Sequence, residues 1–493
     1  MLNYKELPKG VLNINLIQVF STVGYAVLMG LLNFYLSNYA GMSHPEANTL
    51  TASFFAINFL FHFLGGAVGG RYLTFRALFC ISLLLQFIGL CLIAIQIHTI
   101  ILIGMATFIT GSGLNVSCIN MMLTQLFSQE DKRRRIAFAV NYSFMNMGFV
   151  LSFAVAGFLQ GHNMYSQAFI FAAVCIIVAM VIHLKSWKYF NDKNTYFVTV
   201  FYKSTKRLYT APAIILICLC FAYYLMHNPV LGSTLIYILF IVLLLSMINF
   251  ALKQSHEYRT KIFAYLILSS ASMIFACVQG LQSTALENFV EFNTSKSLFG
   301  IPMQPATVNL FESLGVIIFG FVLANMMRKR QQEKRPYLPG LLVTRGLSLY
   351  IIAFLMIPLG IYLVGNNHLV NVIFPILLLL IVAAGEIHVN AVNYAMAGEM
   401  MKPEHQGLFT GYLFMNIAFG INLAGPISNF AISQSLESHN ITAAASNPLY
   451  MQVFLIMSAI ALIITLVFFF LMNILNRMLH TQKLEPKLNS ELS

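Results

Sequence analysis

Apolar runs close to membrane length, separated by short polar joints, recur from one end of the chain to the other. They count to about fourteen, near residues 11–39, 45–69, 77–96, 98–126, 135–160, 164–186, 211–228, 231–253, 259–286, 303–328, 337–364, 369–400, 406–434 and 448–475. About 20 apolar residues in a helix cross the hydrocarbon of a bilayer. Only helices and closed barrels satisfy their own backbone there. The pattern therefore predicts an all-α polytopic membrane protein. Its spans group as six, two and six. A polar stretch, WKYFNDKNTYFVTVFYKSTKRLY at 187–209, closes the first six. The expected divisions are a six-helix bundle at 1–186, a linker and two-helix hairpin at 187–257, a second six-helix bundle at 258–476 and a tail at 477–493.

Composition agrees. Of 493 residues, 59% are hydrophobic and 9% charged, with mean hydropathy +0.78. A soluble domain carries about 25% charged residues. The first run, Val11 to Leu36, is too long for the apolar part of a signal peptide. The net charge of +12 reports orientation rather than a nucleic-acid partner. Alternate connections hold Lys5, Lys9, Arg71, Arg76, Lys132 to Arg135, Lys185 to Arg207, Lys253 to Lys261, Arg328 to Arg335, Lys402 and the basic C-terminus, while the opposite set holds Lys296 as its one clear cation. By the positive-inside rule both termini are expected in the cytoplasm. The seven cysteines show no metal spacing and read as small buried hydrophobes. No phosphate loop, metal cluster or activated nucleophile is present, so the chain is expected to be neither an enzyme nor ATP-driven, and to need no cofactor or metal.

Chemistry then rests on few residues. Glu386 lies about 16 residues into its apolar run, roughly 24 Å along a helix. A charge at that depth costs on the order of 2.5–3.5 kcal/mol and marks function by default. The bland alternative is a neutral acid satisfied by a neighbouring Tyr or Asn. Glu312, inside the run that begins near Met303, poses the same choice. Glu287 is expected at the outer mouth, in solvent. His62 is expected to be buried and bonded to a carbonyl rather than to relay protons. His388 is two residues from Glu386 and faces away on a helix, whereas Asn390 and Asn393 share its face. Arg345 is the one basic residue within an apolar body, near the cytoplasmic end of its span. Sequons at Asn293 and Asn440 are read as chance matches in outer loops.

Two six-helix halves are the layout of major facilitator transporters, with a site at mid-membrane between them. Within that fold, several stretches resemble the proton-dependent oligopeptide transporter family. In GSGLNVSCINMMLTQLFSQEDKRRRIAFAVNYSFMNMGF at 111–149, Gly111, Gly113, Leu114, Ile119, Arg134, Arg135, Tyr142, Asn146 and Gly148 match its fourth and fifth spans. The inserted pair at 211–253 resembles bacterial members. Gly385-Glu386-Ile387 resembles the family's Gly-Glu-Leu, and Pro403, Gly407 and Gly411 the loop after it. FLGGAVGGRYLTFR at 63–76 resembles the facilitator loop between spans two and three, with Gly70 where an Asp is usual.

The resemblance implies a secondary active transporter in a bacterial inner membrane, a proton-coupled symporter of a peptide-like or small amine-bearing solute working by alternating access. It implies amine binding at Glu386, and Glu312, as the other acid inside a span, is expected to share in proton coupling or amine binding. It implies a pocket of Tyr25, Phe59, Tyr142, Asn146, Gln279, Ser313 and Asn390, and cytoplasmic gate loops carrying Arg71, Arg76, Arg134, Arg135, Pro403 and Glu404. The implied partners are the solute, protons and lipid, with a monomer as the unit. Departures bear on the substrate. Charged residues that the family carries in its first span are absent from Val11 through Tyr35, and its fourth-span Lys falls on Val116. A carboxylate needs a fixed cation or several donors in low dielectric, so a solute without a required carboxylate is expected. Export of a lipophilic amine, or a non-transporting receptor or scaffold on a transporter fold, are the alternatives.

Overall fold

The structure, a computed structural model, describes residues 7–128, 131, 133–193, 195–333, 338–397, 401–402, 405–433 and 441–480. Its first six long helices are α1 (Val11–Tyr39), α2 (His44–Val68), α3 (Phe75–Ile93), α4 (His98–Gln125), α5 (Arg133–Gly161) and α6 (Tyr165–Lys185). The inserted hairpin is α7 (Thr210–His227) and α8 (Pro229–Leu252). The next span is broken into α9 (His256–Ser270), α10 (Ser272–Gln282) and α11 (Ala285–Asn293). A two-residue hairpin, Ser297–Leu298 with Ile301–Pro302, leads to α12 (Pro305–Gln332). Then come α13 (Pro339–Val364), α14 (Ile373–Ala395), α15 (Gln406–Asn422), α16 (Ala424–Ala431) and α17 (Ala443–His480). Among the described residues thirteen spans are long and apolar enough to cross a membrane. The 25-residue α2 lies in register with the second expected span and brings the bundle to the expected fourteen.

Local chemistry sets the ends. Ser43 and Glu46 form a reciprocal capping box at the start of α2, with Glu46 Oε2 accepting from the Ser43 amide at 2.9 Å; each such cap satisfies an amide the helix cannot. Thr74 Oγ1 accepts from the Ala77 amide at 3.3 Å to start α3.

Packing divides the chain. In the first half α1 packs on α5 and α6, α3 on α4 and α6, and α2 on α4. One apolar core joins them, with Leu31, Phe54, Phe108 and Phe169 at its centre. In the second half α13 packs on α14 and α17, α12 on α14, and α10 on α15, around a second core that includes Tyr350, Phe354, Val382 and Phe454. The seam between halves is made by α5 on α12 and by α2 on α15 and α16. The inserted hairpin sits along that seam, α7 against α4 and α8 against α2 and α15.

The end of the bundle where α1 begins and α17 ends carries the Lys and Arg clusters, and is here called the basic face. The linker is docked there. Gly70 takes φ +71, where an L side chain is strained, and a Cβ on it would also meet the Phe75 ring at 2.7 Å. No carboxylate comes from this loop, as the sequence indicates. Asp192 of the linker supplies one instead, its two oxygens accepting from the Phe75 amide at 3.0 and 3.1 Å at the N-terminus of α3. That is where a helix favours a negative charge. Burial nonetheless pushes the Asp192 carboxyl above its ordinary range, against the pull of that amide and of Arg76. Arg76 donates to the Trp187 carbonyl at 3.2 Å and to Asn191, and its guanidinium lies 4.8 Å from the centre of the Trp187 indole ring. The Phe197 amide donates to the Gly70 carbonyl at 2.7 Å. The linker is thus held against the first half. Asp192→Ala should weaken the docking by about 1 kcal/mol, so limited proteolysis within 187–209 should speed up about fivefold. Unchanged cleavage would leave Asp192 without this role.

Candidate functional site

Gly385 and Gly346 set the site. A Cβ on Gly385 would meet the Tyr350 ring at 2.9 Å, and one on Gly346 the Gly385 carbonyl at 2.8 Å. Two glycines therefore let α13 and α14 meet backbone to backbone, as small residues do between membrane helices. The next residue, Glu386, points elsewhere, into the seam between the halves. There the Tyr142 hydroxyl of α5 donates to Glu386 Oε1 at 2.9 Å. The Asn390 amide, one turn along α14, donates to the same oxygen at 3.1 Å. Glu386 is 6% exposed, while Tyr142 is 37% exposed, so the ring reaches from an open surface to a buried acid. His388 bonds the Ala384 carbonyl of its own helix at 2.7 Å and is no partner of Glu386. Asn393 is fully buried, with neither end of its amide bonded.

Glu312 is the second acid. It sits on α12, 7% exposed, and its Oε2 accepts from Gln282 Nε2 at 2.9 Å. Its Oε1 is buried with no hydrogen-bond partner. Glu312 and Glu386 interact electrostatically. Tyr25, from the first half, is within electrostatic reach of Glu312, and its ring packs edge-on against Phe55 and Phe149 at 5.2 and 6.1 Å. The two acids thus face one site across the seam from Tyr25 and Tyr142. Tyr350 was not among the expected pocket residues, yet it is buried, its hydroxyl is unbonded, and it interacts with both acids. Gln282 was likewise missed. A Tyr or Gln in a membrane helix reads as packing until a partner on another helix is known.

The other expected pocket residues are less central. Asn146 is buried and donates to the Tyr142 carbonyl at 3.0 Å on its own helix. Gln279 keeps a buried, unbonded Oε1 on α10. Ser313 is buried beside Glu312 in the chain. Phe59 packs with His62 and with Phe414 of the other half, at 5.2 and 6.5 Å, in a separate stretch of the seam. His62 is buried and its Nδ1 bonds the Gly113 carbonyl at 3.2 Å, the arrangement expected of it.

Of the gate-loop residues, Arg71 lies over its neighbour Tyr72 at 5.4 Å and Arg76 is committed to the linker. Arg134 donates to Thr124 at 3.5 Å. Pro403, Glu404 and the Arg135 side chain lie outside the described residues, as does Asn440. Arg345 is exposed on α13. No group of residues that could hold a metal occurs among those described.

A second polar system closes the face opposite the basic one. Asn33 Nδ2 donates to Asn288 Oδ1 at 3.4 Å, Asn288 Nδ2 to Asn48 Oδ1 at 3.1 Å, Asn48 Nδ2 to Asn429 Oδ1 at 3.1 Å and Asn429 Nδ2 to Thr49 Oγ1 at 3.1 Å. This chain passes between α1, α2, α11 and α16, so it stitches the halves together. Gln160 adds a bond from the Ala306 amide at 3.1 Å, and Gly157 lets α5 touch Thr307 of α12, where any Cβ would collide. Every hydrogen bond between the halves that joins described residues lies here or at Glu386. Two expectations are corrected at this face. Glu287 is not solvated but 1% exposed, because α11 packs among α10, α12, α16 and α17. Asn293 is fully buried and donates to Ser446 and Asn447, both at 2.7 Å, so it is no exposed loop residue.

Two halves meeting at a buried acid, sealed at one face, define a transporter of the major facilitator fold. The POT family model matches residues 75–443, three quarters of the chain, and the chain belongs to that family. It is 23% identical over 473 residues to a dipeptide and tripeptide permease A of Pectobacterium carotovorum, covering 94% of this chain and 92% of that one. A solved peptide transporter in complex with sulfate superposes with TM-score 0.80 at 21% identity, covering 96% of each chain. A peptide transporter solved as a tetramer gives 0.81 at 16% identity, covering 95% of this chain and 99% of that one. The chain is a multi-pass inner-membrane transporter and not an enzyme.

A hydrogen bond to a charged group contributes about 1.5–3 kcal/mol. A double-mutant cycle with Tyr142→Phe and Glu386→Gln, followed by unfolding in detergent, should therefore show non-additivity of about 1 kcal/mol or more. Additive effects would mean that the two side chains do not interact.

Proposed function

We propose that this chain is a proton-coupled symporter of peptide-like or small amine-bearing solutes, with Glu386 and Glu312 as the coupling and amine-binding groups. The observation that carries this is the Tyr142–Glu386 bond. An acid satisfied only locally would take its donors from its own half. Glu386 takes one from the other half, across the surface that must open for alternating access, so its state is tied to the rocking of the halves.

The positive-inside pattern supports a cytoplasmic basic face and cytoplasmic termini. The sealed face is then the outer one, and the conformation faces inward. In the outward-facing state a proton from outside settles on one of the two acids, which relieves the cost of two like charges in low dielectric. The remaining carboxylate takes the ammonium group of the solute. With both charges matched the outer face closes, and solute and proton leave on the basic side. That the similar proteins are a dipeptide and tripeptide permease and a peptide transporter supports peptides as the solute. This chain modifies that. No Lys or Arg lies in the central parts of spans one, two, four or five, so the free carboxyl end of a peptide has no fixed cation. The working unit is taken as the monomer, since each chain holds a complete site. The divisions at 186, 257 and 476 serve as the proposed domain boundaries. Nothing in the described residues favours the exporter or the receptor reading.

Uptake into proteoliposomes under an inward proton gradient tests this. Ala-Ala and its C-terminal amide should both accumulate, and N-acetyl-Ala-Ala should not. Glu386→Gln should lose gradient-driven accumulation by tenfold or more with expression intact. Full gradient-driven uptake by that variant would remove Glu386 from the mechanism.

A further inference from the structure

Among the described residues Glu287 is the one buried acid that the transport site does not use. It stands in the first turn of α11, next to Asn288, whose amide bridges Asn33 of α1 and Asn48 of α2. Both carboxyl oxygens are buried and neither has a hydrogen-bond partner. The hydroxyl of Ser283, four residues before it, is also buried and unbonded. The ionisable and charged groups packed about α11 are Glu291 on the helix itself, Lys296 in the following hairpin, Tyr165 of α6 with Tyr39 of α1 beside it, His44 of α2 against Phe292, and Tyr450 of α17 against Phe289. None of them is a cation available to Glu287. Lys296 is taken by Glu291 at 2.7 Å. Glu291 and Tyr165 are the groups that interact electrostatically with Glu287, and one is an acid.

An ion buried without a counter-ion or donors is strongly disfavoured. The partial positive charge at the N-terminus of α11 is small against that cost. Closure of this face therefore requires Glu287 to be neutral. We infer that Glu287 is a positioning residue of the gate at this face, which closes when Glu287 has taken a proton from the solution outside and opens when Glu287 ionises. The step is a simple protonation: the carboxylate gains a proton from hydronium as the face closes and returns it to water as the face opens. It carries no net proton across the membrane. It makes the closing step depend on the pH outside, apart from the coupling at Glu386 and Glu312. The inference rests on the proposed transport cycle for its purpose, but its test needs no substrate.

Hydrogen–deuterium exchange of the full chain in lipid nanodiscs, corrected for intrinsic rates, reports opening of the segment 285–294. In the unmodified protein, protection there should be at least tenfold greater at pH 5.5 than at pH 8.5. Glu287→Gln, permanently neutral, should hold the high protection at both pH values. Equal protection of the unmodified protein at the two pH values would overturn the inference without any variant. So would a folded Glu287→Gln protein that follows the unmodified profile. If no peptide or amine is transported, the proposed function fails, and this exchange profile still decides the role of Glu287.

Discussion

A carboxyl group inside a membrane protein must be neutralised or given donors, and almost everything distinctive about this chain follows from how it meets that demand at Glu386. One oxygen accepts from Tyr142 and Asn390. The first of those donors belongs to the other half. The bond therefore does two things at once: it makes the buried acid tolerable, and it links its state to the relative position of the bundles. Backbone-to-backbone packing of α13 on α14 at Gly346 and Gly385 holds the acid's base in place, so motion falls on the seam rather than on the helix.

The seam is uneven in kind. Along α2 and α15 it is aromatic and apolar, with Phe59, His62 and Phe414 in edge contacts. Opposite the basic face it is a relay of asparagines. Neutral amide bonds suit a surface that must form and break repeatedly. Each contributes about 1 kcal/mol net, enough together to favour closure and little enough to be reversed by a bound solute or a proton. Strong buried ion pairs would be costly to separate. Glu287 is the exception to this neutrality, and its burial beside the relay gives the closed face a second acid to account for.

The linker shows a substitution of a different kind. The loop between α2 and α3 lacks the Asp that such loops usually carry, which leaves the N-terminus of α3 without a carboxylate from its own turn. Asp192, more than a hundred residues later, fills the place. The chemistry required at the end of α3 is met from a segment that its sequence neighbours do not reveal.

The sequence by itself determined the class, the number of spans and the six, two and six grouping, and it singled out Glu386 as an acid inside a span, because membrane length and the cost of a buried charge are local properties legible in one dimension. It also placed His388 away from Glu386 by helical spacing, and His62 on a carbonyl because a buried neutral imidazole needs a hydrogen-bond partner. Tertiary structure decided the rest. Only folding shows that Tyr142 reaches Glu386, that Gln282 holds Glu312, and that Tyr350 stands near both. Glu287 read as a solvated residue at a span's end and proved buried, because depth along a span says nothing about which face of the helix another half will cover. Hydrophobic pattern fixes where a helix runs, while partners across a seam depend on how two bundles, far apart in the chain, are brought together.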